Sequence, residues 1–297
     1  MRRLLIRPGA IGDTIVSLPA LAWLCQDVEA EIWAPARNLP PLRHLAPVRS
    51  FQQIQIDLFE IHPPPGLAER LSGFDEIVSW YGAAREEFRQ ALTRANANSR
   101  FLSALPPRDW RGFAGDFYCA QVGMPARSVE PHGGAVFTRG ASTLVSTLAS
   151  PTLHDSIARI PLQRRPRGFL AIQPFSGSPR KNWPLAGFAE VAAQLSRAHG
   201  LAVEWCAGPE EPLAGARRFD TLDGVMEWLA SASLYVGNDS GISHLAAACG
   251  VPTVAVFVDS DAQVWAPRGR HVAVVERPAS SGEVFTVADS LLRRLAP

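Results

Sequence analysis

The chain has 297 residues, which at roughly 100–200 residues per domain predicts about two domains. Its 29 Lys and Arg against 28 Asp and Glu leave a net charge of +1, which argues against nonspecific binding to nucleic acid or a polybasic grip on membranes. With 47% hydrophobic and 19% charged residues it carries enough apolar material for packed cores and too little charge for disorder.

The opening reads as strand, glycine turn, helix, strand. Arg3 to Arg7 is a short apolar strand, and Pro8, Gly9, Ala10, Ile11 and Gly12 form a turn. Asp13 opens a helix through Leu24 that Pro19 distorts, and Glu29 to Trp33 is a second strand. This βαβ start predicts a parallel sheet with helices on its faces. Strands are expected at 54–56 and 76–80 and a helix at 83–93. The proline-containing stretch 125–166 reads as a domain linker.

From Gly168 the alternation resumes. Strands are predicted at 169–173, 201–207, 233–236, 253–258 and 271–275. Helices are predicted at 184–199, 222–231, 241–249 and 283–295, the first opened by Pro184 at its first turn. The resulting class is α/β, with two Rossmann-like parallel-sheet domains facing a cleft, placed at 1–160 and 161–297.

Targeting and redox signals are few. The apolar start is cut short at Arg7 and Pro8, too early for a signal-peptide core, and no apolar run approaches the ~20 residues that span a bilayer. Cys25, Cys119, Cys206 and Cys249 lie far apart, without a paired or metal-binding spacing, and read as free thiols. A cytoplasmic location follows, with peripheral contact at the inner face of the membrane if the substrate is lipid-linked.

Three segments carry chemistry. In the first, Gly9 and Gly12 let backbone approach a ligand where a strand hands over to a helix, and Asp13 places a carboxylate at that edge. The same aspartate is also what a helix N-terminus favours for capping alone. The dinucleotide fingerprint G-x-G-x-x-G is absent here, which disfavours a nucleotide-dependent oxidoreductase.

The second segment runs from Gln173 to Pro184. Ser176, Gly177 and Ser178 precede Lys181 just before a helix, a pattern suited to phosphate and also to a plain polar loop. Of the 29 basic side chains, 28 are arginine and Lys181 is the only lysine. A compact ammonium differs in kind from a wide guanidinium fork, and a tight phosphate pocket favours the former.

The third segment is Gly237, Asn238, Asp239, Ser240, Gly241 and His244, where a strand end leads into a helix of small residues whose first N–H groups are open to an anion. Two further candidates are weaker. Asp259, Ser260 and Asp261 have a D-x-D form that holds metal in some glycosyltransferases, although a solvated loop is the simpler reading, and no metal is expected. Glu210 follows a strand end, where a carboxylate accepts from ribose hydroxyls or merely faces solvent.

Taken in order, Arg7-x-x-x-x-Gly12-Asp13 with Pro19, Lys181-x-Trp183-Pro184, and Gly237 through Ala246 with Val251-Pro252-Thr253 resemble glycosyltransferase family 9, the ADP-heptose:lipopolysaccharide heptosyltransferases. The match covers the first 25 residues and most of 168–275. The resemblance implies a GT-B fold, with acceptor bound mainly by the first domain and nucleotide-sugar by the second, and inverting transfer without metal or cofactor. It implies Asp13 as the general base for the acceptor hydroxyl. Lys181 and the backbone at Ser240 and Gly241 would stabilise the departing diphosphate. Ser176 or Ser178 and His244 would add phosphate hydrogen bonds, Asp239 would shape the donor site and Glu210 would hold ribose.

The implied partners are an ADP-sugar, favoured as donor, and a lipid-linked or oligosaccharide acceptor of the lipopolysaccharide core or a related surface glycan. Ser240 stands where threonine is usual in the family, and Val258-Asp259-Ser260 replaces a frequent Gly-Pro-Thr turn. The competing expectation is an idle nucleotide-sugar-binding scaffold on the same fold, which would have no need of Asp13 or Lys181.

Overall fold

The computed structural model describes residues 1–125, 135–139, 142–144, 160–161 and 168–295. The chain divides into two compact units. The first comprises Met1–Trp110 and Ala114–Pro125, and the second Arg111–Phe113 and Ala126–Pro297.

In the first unit, β1 (Arg2–Ile6) leads into α1 (Ile11–Val16) and α2 (Leu18–Leu24), then β2 (Glu29–Ala34). The distortion expected from Pro19 is a break at Ser17, and the proline sits in the first turn of α2, where its missing N–H costs nothing. The chain continues through β3 (Val48–Ser50), α3 (Phe51–Ile54), α4 (Leu67–Ser72), β4 (Glu76–Ser79), α5 (Glu86–Ala95), β5 (Ser99–Phe101) and α6 (Ala114–Gln121).

The five strands form a parallel sheet in the order β3-β2-β1-β4-β5. Ile6 lies opposite Trp33 on one side and Ser79 on the other. One face buries Leu4, Ile6, Trp33 and Ile77 against Phe88 and Leu92 of α5. Each such side chain contributes about 1.5–3 kcal/mol when fully withdrawn from water. The strand expected at 54–56 is instead the end of α3 at Ile54, a left-handed Gln55 and the start of a 3-10 turn, Ile56–Leu58. Ser50 Oγ accepts from Gln53 N at 3.1 Å while Ser50 N donates to Gln53 Oε1 at 3.2 Å, a reciprocal cap that starts a helix there.

The second unit holds β6 (Ala135–Arg139), β7 (Ser142–Leu144), β8 (Phe169–Gln173), α7 (Leu185–His199), β9 (Val203–Trp205), α8 (Leu222–Ala230), β10 (Ala232–Asn238) and α9 (Gly241–Ala248). It ends with β11 (Thr253–Phe257), α10 (Ala262–Trp265), β12 (Val272–Glu276) and α11 (Ser281–Leu295). The sheet order is β7-β6-β12-β11-β10-β8-β9, parallel except for the β6–β7 pair. Within 125–166, read as a linker, β6 and β7 are part of this sheet. Val136, Phe137 and Thr138 have strand character, but the run is too short to show a period.

The central strands are apolar on both faces, as parallel strands covered by helices on two sides must be. Leu170, Ile172, Val236 and Val254 pack on Phe188, Val191 and Leu195 of α7 and on Val284 and Leu291 of α11. Ala255, Phe257 and Val274 face the other way, onto Ala247 and Ala262. Among the described residues no helix is long and apolar enough to cross a membrane.

Candidate active site

In the first unit, β1 feeds Arg7, Pro8 and the glycine turn. Gly9 has φ +108, a conformation open to glycine alone, and a Cβ there would come within 2.9 Å of Asp13 Oδ2. The backbone therefore wraps tightly around the aspartate. Ala10 N donates to Asp13 Oδ2 at 2.9 Å, so one carboxylate oxygen is held, and Oδ1 has no partner among the described residues. Asp13 is partly exposed in the first turn of α1, with Gly12 beside it.

Arg7 is buried and fixes this turn from below. Its Nη2 donates to Asp13 O at 2.9 Å, its Nε to Ser17 Oγ at 2.8 Å and its Nη1 to Ala104 O at 3.3 Å. The guanidinium also lies 4.6 Å from the Tyr118 ring centroid and 5.7 Å from that of Trp80. A charge held this way meets its donors' needs through carbonyls, a hydroxyl and π faces, without spending a carboxylate. Burial is the main cause raising the Tyr118 phenol's pKa, with Arg7 opposing. Asn38, fully buried, donates to Gly9 O at 3.0 Å and to Thr14 Oγ1 at 2.9 Å, pinning the turn from the next loop. Sequence reading gave Asn38 no role, because nothing in its local pattern marks a contact 29 residues away.

In the second unit, β9 lies on one side of β8 and β10 on the other. The loops leaving β8 and β10 thus part at the point where the strand order reverses, and open α/β sheets take ligands at that crevice. The two loops converge on Asp239, which is almost fully buried. Lys181 Nζ donates to Asp239 Oδ2 at 2.7 Å, and Ser260 Oγ donates to the same oxygen at 2.5 Å. His244 Nε2 lies 4.0 Å from Asp239 Oδ1. Lys181, Asp239 and His244 are therefore brought together.

Ser240 caps α9, accepting from Ser243 N at 3.3 Å while its Oγ donates to Gln173 Oε1 at 3.2 Å, and Gly241 is the first helical residue. Tyr235 OH donates to the same Gln173 oxygen at 3.1 Å, and burial pushes its pKa well up, which keeps it a donor. Gly237 makes room for this network, since a Cβ there would lie 2.4 Å from Tyr235 OH. Asn238 joins the two loops directly, with Nδ2 donating to Pro174 O at 2.6 Å and Oδ1 accepting from Trp183 N at 2.9 Å. Trp183 is buried edge-on against Phe188, 5.1 Å between centroids, which anchors the end of the Lys181 loop.

The other expected residues differ in their engagement. Ser176 Oγ lies 2.8 Å from Ser178 O and 2.8 Å from Asn182 Oδ1, so it shapes its own loop. Ser178 is half-buried before the turn that carries Lys181. Glu210 is exposed, whereas its neighbour Glu211 folds back to accept from Gly208 N at 2.5 Å.

The D-x-D residues are spent separately: Asp259 pairs with Arg180 at 3.0 Å and Asp261 caps α10 through Gln263 N at 2.9 Å. Among the described residues no group of three or more His, Cys, Asp or Glu is placed to hold a metal.

Residues 146–291 match the model of glycosyltransferase family 9 (heptosyltransferase). No curated protein matches the chain in sequence. Several solved structures match it in fold. The E. coli ADP-heptose lipopolysaccharide heptosyltransferase II is 18% identical with a TM-score of 0.63, covering 99% of each chain. The family 9 glycosyltransferase from Veillonella parvula is 16% identical with a TM-score of 0.66, covering 99% of this chain and 97% of that one. E. coli heptosyltransferase WaaC, solved with ADP, is 15% identical with a TM-score of 0.61, covering 98% of this chain and all 100% of that one. The two parallel-sheet units are thus those of the GT-B class.

Proposed function

We propose that this chain, whose residues 146–291 match the model of glycosyltransferase family 9 (heptosyltransferase), transfers a sugar from a nucleoside-diphosphate sugar to the hydroxyl of a surface-glycan acceptor, with inversion and without metal. ADP-heptose is the favoured donor, since structural relatives were solved with ADP and with an ADP-heptose analogue. The acceptor belongs to the lipopolysaccharide core or a related glycan, reached in the cytoplasm or at the inner face of its membrane.

The observation that carries this reading is the Lys181 ammonium, fixed on Asp239 beside the N-terminus of α9. Two of its three N–H donors remain for a leaving diphosphate, and the first N–H groups of α9 supply further partial positive charge. Charge that develops on the departing phosphate is thereby met by groups already in place. His244 and Ser178 add donors at the same strand ends, and Ser176 holds the loop that presents them. Glu210, exposed after β9, is assigned to ribose.

In the first unit, Asp13 is assigned as general base. Its Oδ2 is held by Ala10 N and its backbone oxygen by Arg7, which leaves Oδ1 to take the proton from the attacking hydroxyl. The domain assignment follows the same division, with acceptor chemistry on the N-terminal unit and donor chemistry on the C-terminal one.

The test is a donor screen on the full chain, comparing ADP-, UDP- and GDP-sugars by thermal unfolding and by nucleotide release. A ligand of the native state stabilises it by ~2.7 kcal/mol at a hundredfold excess over Kd. Stabilisation by ADP and ADP-heptose above the UDP and GDP compounds is expected. No response to any nucleotide-sugar would overturn the proposal.

A further inference from the structure

Gln173 closes β8 in the second unit and is 7% exposed. It lies opposite Gly237 of β10, just before that strand hands over to Ser240 and α9. Side chains alternate along a strand, so Ile172 enters the core against α7 while Gln173 takes the opposite face, where it meets Ser240 and Tyr235. The carboxamide therefore stands at the strand ends, between the two loops that part there.

Counting the hydroxyl hydrogens around it fixes which way the carboxamide faces. Ser243 Oγ donates its single hydrogen to Asn238 O at 2.5 Å. Tyr235 OH and Ser240 Oγ lie 3.1 Å and 3.2 Å from Gln173 Oε1, and each lies 3.3 Å from Ser243 Oγ. Ser240 Oγ already accepts from Ser243 N, so its own hydrogen needs an acceptor. Burial raises the Tyr235 pKa, so its hydrogen stays in place and needs one too. An amide oxygen has two lone pairs and takes both hydrogens, whereas an amide nitrogen turned inward would take neither. The oxygen thus faces the two hydroxyls and Nε2 faces away from them. No hydrogen bond joins Nε2 to a described residue, and the atom is not sealed in, so the small accessible part of the side chain includes it. Donors on side chains this deeply buried are as a rule paired, and this one is held at its other end with both N–H bonds open. Beside it are the first N–H groups of α9, and Lys181 is fixed on Asp239 at the same strand ends. What is left unspent there is donors, which points to a ligand that brings acceptors.

We infer that Gln173 is a further donor-site residue whose Nε2 donates to a phosphoryl oxygen of the nucleoside diphosphate, with Tyr235 as the positioning residue that keeps the carboxamide turned outward. The inference rests on the transfer reading for the identity of the ligand. Lys181 supplies charge on a swivelling stem, and the locked amide adds a neutral donor of fixed direction.

The test is calorimetric titration of the full chain with ADP and with adenosine, on wild type, Gln173→Met and Gln173→Glu. Both variants delete the outward N–H group. Methionine has nearly the same length and buries no charge. Glutamate keeps an acceptor for Tyr235 and Ser240 but sets an oxygen where the nitrogen was. ADP affinity should fall about tenfold in Gln173→Met, the loss of one hydrogen bond to a charged group, and further in Gln173→Glu, with adenosine unaffected in both. A carboxamide that served only to take the two hydroxyl hydrogens would give the reverse order, with glutamate the milder change. That reverse order, an unchanged ADP affinity in Gln173→Met, or equal losses for ADP and adenosine would overturn the inference. If Gln173→Glu does not fold, the comparison of ADP with adenosine on Gln173→Met decides alone. Tyr235→Phe should weaken ADP by less than Gln173→Met does, again sparing adenosine, and wild-type ADP affinity there would refute the positioning role. A wild type that binds no ADP overturns the donor reading itself, whereas ADP binding indifferent to Gln173 removes this inference alone.

Discussion

Replacing Lys181 by methionine separates the contact that the structure shows from the role proposed for it. The ammonium is the counter-ion of Asp239, and it is proposed to bind the donor diphosphate. At 2.7 Å two unit charges attract by about 1.5 kcal/mol in water and about 6 kcal/mol at an effective dielectric of about 20. Asp239 is 5% exposed and Lys181 38%. Desolvation of the carboxylate takes back much of the attraction, and solvent at the lysine screens the rest. The net coupling is therefore about 1–2 kcal/mol. Lys181→Met should lower stability by about that amount, and a double-mutant cycle with Asp239→Asn should recover it as the interaction energy.

The ligand effect is read separately. A lost charge-assisted hydrogen bond to phosphate costs about 1.5–3 kcal/mol, so the Kd for ADP should rise about 10- to 100-fold. Calorimetry with ADP on the wild type, Lys181→Met and Lys181→Arg provides the comparison. The arginine keeps the charge but replaces a point donor by a planar fork, and should recover only part of the loss. An unchanged ADP affinity in Lys181→Met, with stability lowered as calculated, would refute the phosphate role and leave the lysine as a counter-ion to Asp239 alone.

Four other outcomes follow from the geometry. Asp13→Asn should reduce transfer by ~10²-fold or more while ADP affinity stays within experimental error, the pattern expected on loss of a general base; steady-state turnover with ADP calorimetry checks it. Gly9→Ala forces a Cβ into a φ of +108 and to within 2.9 Å of Asp13 Oδ2, and should cost about 1–3 kcal/mol in thermal unfolding and lower turnover as well. Asn238→Ala strips Pro174 O and Trp183 N of their shared partner and should cost about 2–3 kcal/mol in urea titrations, with weaker ADP binding as the Lys181 loop loosens. Burial pushes the Cys119 thiol up to about 12, with Asp116 adding to the effect, and the Cys206 thiol up to about 11, with Glu211 adding and Arg218 opposing. The folded state therefore keeps protons that the unfolded chain loses above the ordinary value of 9.0. This stabilisation is full below about pH 9 and is lost as pH rises to about 11 for Cys206 and about 12 for Cys119, at up to about 1.4 kcal/mol per pH unit for each thiol; urea midpoints across those windows measure it.

Much of the architecture was legible because the physics that builds it is local. The run Phe169–Gln173 is apolar, β-rich and followed by Pro184 at the start of a helix, and β8 and α7 occupy almost those positions. The break in the first helix was signalled by Pro19, whose ring and missing N–H act on the adjoining turn alone. The errors have equally local causes. Ile54 to Ile56 have strand propensity, but Ser50 and Gln53 form a helix cap three residues apart, and the cap decides the conformation. Strands β3 and β5 are three residues each, shorter than the window in which an alternating pattern can be distinguished from noise.

Of the candidate site, Lys181, Asp239, Ser240 and His244 were legible in the sequence, and the structure brings them to the same strand ends. Lys181 stood out as a single lysine among arginines, and its loop is where an ammonium meets Asp239. The supporting groups left no such trace, because each acts across the fold. Asn38 reaches Gly9, Asn238 joins loops more than 50 residues away, and Ser260 adds a second hydrogen bond to the oxygen that Lys181 already engages. An asparagine in a loop reads as a turn former whatever it touches, and a serine between two aspartates reads as part of a metal motif. In the structure that motif is taken apart: Asp259 faces Arg180, Asp261 caps a helix and Ser260 alone turns toward Asp239. The stretch thus contributes a hydroxyl to Asp239. If Ser260 orients Asp239 for Lys181, Ser260→Ala should weaken ADP binding in the same direction as Lys181→Met and by less, since one neutral donor is removed and the charge remains.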